Sequence, residues 1–164
     1  MNEDPHDHTL YTLGYSQLSD HGSRGPCELK EIAVERNAFV LDIRFNARSR
    51  QPHWNSGNLM AVIGTERYAH CQHLGNANYR SDGPIEIADP ATGLAVLERL
   101  LQASSVILLC QCYAHSACHR ATVAQMAATA FKLTPAHLYI PRPNARPRTG
   151  KITPAKADGQ GKLF

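Results

Sequence analysis

Ser105-Val-Ile-Leu-Leu-Cys110 is the stretch that decides the fold, because it is the strongest strand pattern in the chain. Its apolar run is uninterrupted, which is typical of a strand buried on both faces of a sheet. A leucine-rich helical pattern precedes it and starts at Asp89-Pro90, with the aspartate as cap and the proline in the first turn. A second helical pattern follows over residues 118–131. A strand between two helices predicts an α/β arrangement.

The same alternation recurs towards the N-terminus. Residues 9–14 and Phe39–Ile43 predict strands, and a helical pattern from Glu28 onward lies between them. Two short strands are predicted at residues 67–70 and 137–140. Repeated β–α–β units predict an α/β fold with a mainly parallel sheet and helices on both faces, a Rossmann-like three-layer architecture. Ligands of such folds bind beyond the carboxyl ends of the strands.

Length and composition favour one globular domain. The chain has 164 residues and a mass of 18.0 kDa, with 43% hydrophobic and 19% charged residues. This balance excludes a disordered chain. No apolar run approaches the roughly 18 residues of a membrane span, and the acidic N-terminus lacks the pattern of a signal peptide. We therefore expect a cytoplasmic protein without membrane association, whose five cysteines are reduced thiols.

The basic charge is concentrated at the C-terminal end. The formal net charge is +3, yet residues 141–164 hold six of the 17 cations and one of the 14 acids. Residues 1–140, which we predict to be the single α/β domain, therefore have thirteen acids and eleven cations. The proline- and glycine-rich tail is predicted to be mobile. It is either a solubilising extension or an arm that binds the phosphates of a nucleic acid.

A basic loop follows the predicted strand that contains Asp42. Three arginines occur within seven positions: Arg44, Arg48 and Arg50. Planar guanidinium groups suit carboxylates and phosphates, and Ser49 adds a hydroxyl donor. The loop is either a solvated segment paired with surface acids or an anion site at the sheet edge, and we favour the anion site. Asn58 is predicted to cap the short helix that follows.

A cysteine-rich segment, Cys110-Gln-Cys112-Tyr-Ala-His-Ser-Ala-Cys118-His-Arg120, joins the strongest strand to a helix. A thiol at a helix N-terminus gains thiolate character, although cysteine at a strand end is often only a buried apolar residue. Seven residues separate Cys112 from Arg120, so the segment does not match the Cys-x5-Arg loop of cysteine phosphatases. Zinc is another interpretation, but Cys-x-Cys is a poor match to the Cys-x2-Cys pairs of structural zinc sites. We therefore predict no metal.

A third segment, residues 68–80, mixes aromatic, imidazole and amide side chains with a glycine. It is either an ordinary loop with capped turns or part of a pocket for a flat polar ligand such as a base.

A series of short motifs is arranged in a defined order along residues 10–140. They are Gly14-Tyr15-Ser16, Asp42-Ile43-Arg44, Ala47-Arg48-Ser49-Arg50, Tyr68, His70, Leu74-Gly75, Leu108-Leu109-Cys110, Cys118-His119-Arg120 and His137-Leu138. In this order and spacing the chain resembles the domain-of-unknown-function 488 family. It departs from the family at Ala47, where proline is usual, and at Cys112, where an acid is usual. The resemblance implies an α/β domain with these residues in one cleft, and it implies no particular activity.

We therefore predict an enzyme-like cleft that binds a small anion of phosphate or nucleotide type, and of the two classes, enzyme and binding module, we favour the enzyme. The predicted ligand-binding residues are Arg44, Arg48, Ser49, Arg50, Tyr68, Gly75 and Arg120. Cys110 or Cys118 is predicted as the reactive thiol, with His119 or His70 as its acid–base partner. No cofactor is predicted. The alternative is a nucleic-acid-binding module that uses the same cleft together with the basic tail.

Overall fold

The computed structural model of the chain describes residues 8–141. The tail predicted to be mobile or to act as an arm lies almost wholly outside these residues. Within the described part, five strands form one sheet in the order β3-β2-β4-β1-β5, and every neighbouring pair is parallel. The strands are β1 Leu10–Gly14, β2 Ala38–Asp42, β3 Tyr68–His70, β4 Ser105–Cys110 and β5 Ala136–His137. The predicted parallel α/β fold is confirmed.

Four α-helices connect the strands of the described region. They are α1 Gly25–Glu35, α2 Ser56–Ile63, α3 Pro90–Ala103 and α4 His119–Phe131. The predicted start of α3 is confirmed, since the Asp89 side chain accepts a hydrogen bond from the backbone N–H of Thr92 at 3.2 Å. Within residues 8–141, none of these helices has the length and apolarity needed to cross a lipid bilayer.

Three predicted boundaries differ from the structure by more than one residue. Helix α1 begins at Gly25 rather than near Glu28, because Pro26 occupies the first turn, where its fixed φ suits a helix. Asn58 is not the cap of α2; the extended residue Asn55 holds that position, and the Asn58 amide donates to the Pro52 carbonyl at 2.6 Å.

Strand β5 ends at His137 rather than at residue 140. The Gln17 side chain hydrogen-bonds to the backbone groups that follow β5. Its amide Nε2 donates to the Leu138 carbonyl at 3.2 Å, and its Oε1 accepts from the Ile140 N–H at 2.7 Å. These side-chain bonds satisfy the backbone without a continued ladder.

The sheet separates two hydrophobic layers. Helices α3 and α4 cover one face, and α1 and α2 cover the other. All six residues of β4 are buried, as expected for the central strand of such a sandwich. Both layers fill with apolar side chains, and the buried charged residues Asp42 and Arg44 lie at the end of a strand.

The carboxyl ends of the four longer parallel strands lie side by side. In the register, Gly14 lies opposite Cys110, and Asp42 lies between Leu109 and His70. Two motifs far apart in the sequence, the Asp42 loop and the Cys110 loop, therefore leave the same edge of the sheet.

Candidate functional site

The site begins where β4 ends at Cys110 and the chain turns into α4. Cys118 is the N-cap residue of α4, and its sulfur accepts a hydrogen bond from the backbone N–H of Arg120 at 3.5 Å. Gly14, on the neighbouring strand, leaves room for this turn, because a Cβ there would lie 1.7 Å from the Cys112 carbonyl oxygen. The absence of a side chain at Gly14 therefore allows the cysteine loop to approach β1.

Three cysteine sulfurs form a cluster in this turn. The Sγ atoms of Cys110, Cys112 and Cys118 all lie within 4.8 Å of one another, and those of Cys110 and Cys118 are 2.8 Å apart. Cys110 and Cys118 are buried, whereas Cys112 is exposed. The exposed cysteine is the member of the cluster that an incoming molecule meets first.

The thiols of the cluster perturb one another. Hydrogen bonds with Cys112 and Cys118, together with burial, raise the pKa of the Cys110 thiol. Hydrogen bonds from Cys110 and Cys118 lower the pKa of the Cys112 thiol, and nearby positive charge acts in the same direction. The negative charge of a partly ionised cluster is therefore concentrated on Cys112.

Arg120 holds the cysteine loop in place through hydrogen bonds from its buried guanidinium. Its guanidinium is 2% exposed and donates to the Cys110 sulfur at 3.0 Å. It also donates to the carbonyl oxygens of Cys112 at 2.6 Å and Tyr113 at 3.2 Å. Arg120 was predicted as an anion ligand. In the structure Nη1 and Nη2 are directed at the sulfur and the loop carbonyls, and the buried Nε has no hydrogen-bond partner among the described residues.

His119 joins the cysteine cluster to the neighbouring strand end. Its Nε2 lies 2.8 Å from the Ile43 carbonyl oxygen, and its Nδ1 lies 3.8 Å from the Cys118 sulfur. Burial lowers the pKa of the imidazole. Because a carbonyl oxygen only accepts hydrogen bonds, Nε2 bears the proton, and the neutral ring presents the lone pair of Nδ1 towards the sulfur atoms.

A buried polar network lies at the end of β2. The Asp42 carboxylate is fully buried and accepts hydrogen bonds from the Arg44 Nε at 2.8 Å and the Tyr68 hydroxyl at 2.7 Å. Burial raises the pKa of Tyr68, and the negative charge of Asp42 raises it further. Tyr68, predicted as a ligand-binding residue, thus orients the carboxylate that orients Arg44.

Arg44 belongs to this network and also contacts an aromatic ring. Its guanidinium packs over the Tyr15 ring, with 5.2 Å from Cζ to the ring centroid. Among the described residues, its Nη1 has no hydrogen-bond partner although it is buried. Arg44 therefore keeps one donor available after it has paired with Asp42.

A cavity of about 440 Å³ opens between the two loops. Residues from the cysteine cluster, the arginine loop and the segment around residue 79 line it: Ser16, Arg44, Phe45, Asn46, Arg48, Asn76, Tyr79, Arg80, Ile85, Gln111, Cys112, Ala117, Cys118 and His119. Three of these residues are arginines, and none of them is an aspartate or a glutamate. We refer to this cavity as the cleft.

Several of the residues predicted for the site lie beside the cleft. Ser49 and Arg50 line a neighbouring depression of about 630 Å³, which shares Arg48 with the cleft. His70 bonds through Nε2 to the Arg44 carbonyl oxygen at 2.6 Å and lines a third, more open depression. Gly75 is a packing residue, since a Cβ there would lie 2.4 Å from the Cα of Phe45.

Ten of the fourteen cleft residues were absent from the predicted set, and Cys112, Tyr79 and Arg80 are the ones with the most distinctive chemistry. The Tyr79 ring lies 5.6 Å from that of Phe45, and the Arg80 guanidinium lies 5.2 Å from the Tyr79 ring centroid. Tyr79 and Arg80 belong to the long connection between β3 and α3. In the sequence, the only indication that they belong to the site is the clustering of aromatic and cationic residues in segment 68–80.

Comparisons with protein-family models, with curated proteins and with solved structures found no match to this chain. The chemical capacity of the site therefore has to be judged from its own residues. Within residues 8–141, Cys110, Cys112 and Cys118 are the group of potential metal ligands whose atoms lie close enough together to share one ion. The arginines provide the positive charge of the cleft, and the sulfur atoms lie at its inner end.

Proposed function

We propose that the cleft binds a small anion of phosphate or nucleotide type, and that the protein is an enzyme whose reacting group belongs to the cysteine cluster. The observation that carries the proposal is the charge of the lining. Arg44, Arg48 and Arg80 line one cavity whose lining contains no carboxylate. Arg44 is paired with the buried Asp42, so the remaining positive charge of the lining comes from Arg48 and Arg80. The concentration of positive charge is local, because the domain predicted over residues 1–140 contains more acids than cations.

The chemistry of the other lining residues suits a flat polar group attached to the anion. Phe45 and Tyr79 offer ring faces, and 43% of the Tyr79 side chain is exposed. Asn46, Asn76 and Gln111 supply amide donors and acceptors in the same cavity. Stacking with amide contacts is how proteins commonly hold an unpaired base, which supports a nucleotide-type ligand over bare phosphate.

The proposed reaction centre lies where the cleft meets the sulfur atoms. Cys112, Cys118 and His119 all line the cavity, so a bound ligand lies beside both thiol and imidazole. A thiol there can act as a nucleophile, and His119 can exchange a proton with it or with the ligand. Because Cys110 is fully buried, we expect a ligand to reach Cys112 before it reaches Cys110.

Calorimetric titration of the full chain with adenosine monophosphate tests the binding proposal, with neutral adenosine and inorganic phosphate as comparison ligands. We expect the monophosphate to bind at least about tenfold more tightly than adenosine, because a charge-assisted contact contributes on the order of 1.4 kcal/mol. Arg48→Ala and Arg80→Ala should each weaken it about tenfold. Arg99→Ala, which removes an exposed arginine from α3, is the matched control and should change nothing.

Equal affinity for adenosine and its monophosphate would contradict the proposal, and so would unchanged affinity in the Arg48→Ala/Arg80→Ala double variant. A single-stranded oligonucleotide tests the alternative function. If it binds far more tightly than the monophosphate, and if replacing the six tail cations by glutamine in the full chain removes its salt dependence, the protein is a nucleic-acid-binding module.

Protection from alkylation tests the position of the reacting group. In chelator-treated protein at fixed pH, saturating adenosine monophosphate should slow the reaction of Cys112 with iodoacetamide. Cys27 is exposed on α1 and is the internal control whose rate should not change. If the ligand leaves both rates unaltered, it does not bind beside the cysteine cluster.

A further inference from the structure

We propose that Cys110, Cys112, Cys118 and the Nδ1 atom of His119 form a four-ligand site for a divalent cation of the zinc class. The site lies at the inner end of the cleft, but the inference does not depend on the anion-binding proposal. It goes against the expectation from sequence spacing, which disfavoured a metal because Cys-x-Cys is not a usual zinc motif. The fold assembles the ligands instead, since Cys110 ends a strand and the other cysteines lie in the following turn and at the start of a helix.

The sulfur positions match the size of a zinc site. With Zn–S bonds of about 2.3 Å, tetrahedral geometry separates neighbouring sulfur ligands by about 3.8 Å. The three sulfurs here lie within 4.8 Å of one another. Cys110 and Cys118, at 2.8 Å, are closer than the ideal edge. Metal binding therefore requires these two sulfurs to separate by about 1 Å, a displacement that side-chain rotation can supply.

His119 has the orientation of a metal ligand. Its Nε2–H donates to the Ile43 carbonyl oxygen at 2.8 Å, which leaves the lone pair of Nδ1 on the side of the cluster. The distance of 3.8 Å from Nδ1 to the Cys118 sulfur is close to the nitrogen–sulfur edge of about 3.6 Å in a tetrahedral site. His119 does not belong to the group whose atoms all lie within 4.8 Å of one another, so metal binding also requires Nδ1 to move towards the other sulfurs. Metal-ligating histidines typically donate their other ring N–H to a carbonyl or carboxylate, and the Ile43 carbonyl fills that role.

The charge of Arg120 is a second, independent observation. This buried guanidinium contacts the Cys110 sulfur and two carbonyl oxygens, and it forms no ion pair with a carboxylate of the described chain. Three thiolates, one divalent cation and one guanidinium add to zero net charge, which makes burial of the whole group inexpensive. A donor directed at a ligating sulfur is also the kind of outer contact that stabilises a metal–thiolate bond.

The donor set selects the metal. Three sulfurs and one imidazole nitrogen suit a borderline-soft cation, whereas Mg²⁺ and Ca²⁺ require oxygen ligands. Zn²⁺ and its spectroscopic substitute Co²⁺ fit this set. With four protein ligands in place the coordination shell is closed, which is typical of a site that holds loops together rather than one that activates water. In the metal-bound chain the thiols and His119 are occupied as ligands, so the thiol chemistry proposed above belongs to the metal-free chain. The ion would fix the cysteine loop against the end of β2.

The test uses the reduced full chain and Zn²⁺ or Co²⁺ alone, with no anionic ligand present. Elemental analysis after dialysis should give one Zn²⁺ per chain. Co²⁺ should give the intense absorption of a tetrahedral thiolate site. Cys112→Ser and His119→Ala should each weaken Zn²⁺ at least about 100-fold in competition with a chromophoric chelator. Cys27→Ser, which alters an exposed cysteine outside the site, should bind as tightly as the wild type.

The proposal is overturned if the reduced chain binds no stoichiometric Zn²⁺. It is also overturned if Cys112→Ser and His119→Ala both retain wild-type affinity, or if Co²⁺ binds without thiolate absorption. Cys112 is exposed, so its serine variant should fold even where a change at buried Cys110 does not. Metal stoichiometry is measured without adenosine monophosphate, so failure of this proposal is distinct from failure of the binding proposal.

Discussion

Asp42→Asn is the sharpest test of how the sheet edge is held together. The Asp42 carboxylate accepts four hydrogen bonds: Oδ1 accepts from the backbone N–H of Arg44 at 3.2 Å and from its Nε at 2.8 Å, and Oδ2 accepts from its Nη2 at 2.5 Å and from the Tyr68 hydroxyl at 2.7 Å. In the asparagine variant one oxygen becomes an NH₂ group. Whichever oxygen is replaced, the NH₂ group then faces two donors, and the buried Arg44 loses its counter-charge.

The expected cost follows from that geometry. Breaking a buried pair while leaving one charge behind costs about 3–5 kcal/mol, a large share of the roughly 5–15 kcal/mol that stabilises a domain. At about 2–4 °C per kcal/mol for a chain of this size, the melting temperature should fall by roughly 6–20 °C. Urea unfolding followed by circular dichroism measures the same loss as a lower midpoint.

Two further variants separate the charge effect from simple disruption. Asp89→Asn makes the same substitution at an exposed helix cap, where asparagine serves as well as aspartate, and should remain near the wild type. The double variant Asp42→Asn/Arg44→Met removes both buried charges and should recover about 1–3 kcal/mol relative to Asp42→Asn alone. A loss below about 1 kcal/mol in Asp42→Asn, or no recovery in the double variant, would refute this account of the network.

Two other predictions follow from contacts at the same edge. Gly14→Ala places a Cβ 1.7 Å from the Cys112 carbonyl oxygen and 2.7 Å from the Arg120 guanidinium. It should lower the free energy of unfolding, measured in urea, by about 1–3 kcal/mol and weaken Zn²⁺ binding. If both quantities are unchanged, the loop does not depend on this close approach. Tyr68→Phe removes a hydrogen bond to a charged acceptor and should cost about 1.5–3 kcal/mol at pH 7. The pKa of Tyr68 is higher in the folded than in the unfolded chain, so the wild type should lose stability as the pH rises above about 10. Tyr68→Phe lacks this part of the loss, so the difference in free energy of unfolding between the two proteins should shrink at high pH. A difference that stays constant from pH 7 to 11 would contradict the reasoning.

The strands and their parallel pairing were predictable from local patterns. The run at Ser105–Cys110 became the central strand with the bounds that its apolar residues indicate. The helix start at Asp89-Pro90 was also correct, because capping depends on residues next to each other in the chain. Errors arose at Asn58 and residues 138–140, where Asn55 and the distant Gln17 side chain satisfy backbone groups that local patterns left open.

The candidate site was only partly visible in the sequence. The arginine loop and the cysteine segment were both identified, and the parallel topology brings their strand ends together. The roles of single residues were harder to assign. Tyr68 was predicted to bind the ligand, but it hydrogen-bonds to Asp42 in the interior. Cys110 or Cys118 was predicted as the reactive thiol, but Cys112 is the exposed member of the cluster.

The sequence by itself determined the alternation of strand and helix, because apolar periodicity, caps and prolines act within a few residues. It also determined which segments could contain chemistry, since arginine, cysteine and histidine are recognisable wherever they occur. Only the tertiary structure decided which of these residues share a cleft, which charge neutralises which, that three sulfurs lie within 4.8 Å of one another, and that a histidine nitrogen lies 3.8 Å from one of them. Those outcomes depend on strand register, on the space left at Gly14 and on the direction of each side chain, which arise only when distant segments pack together.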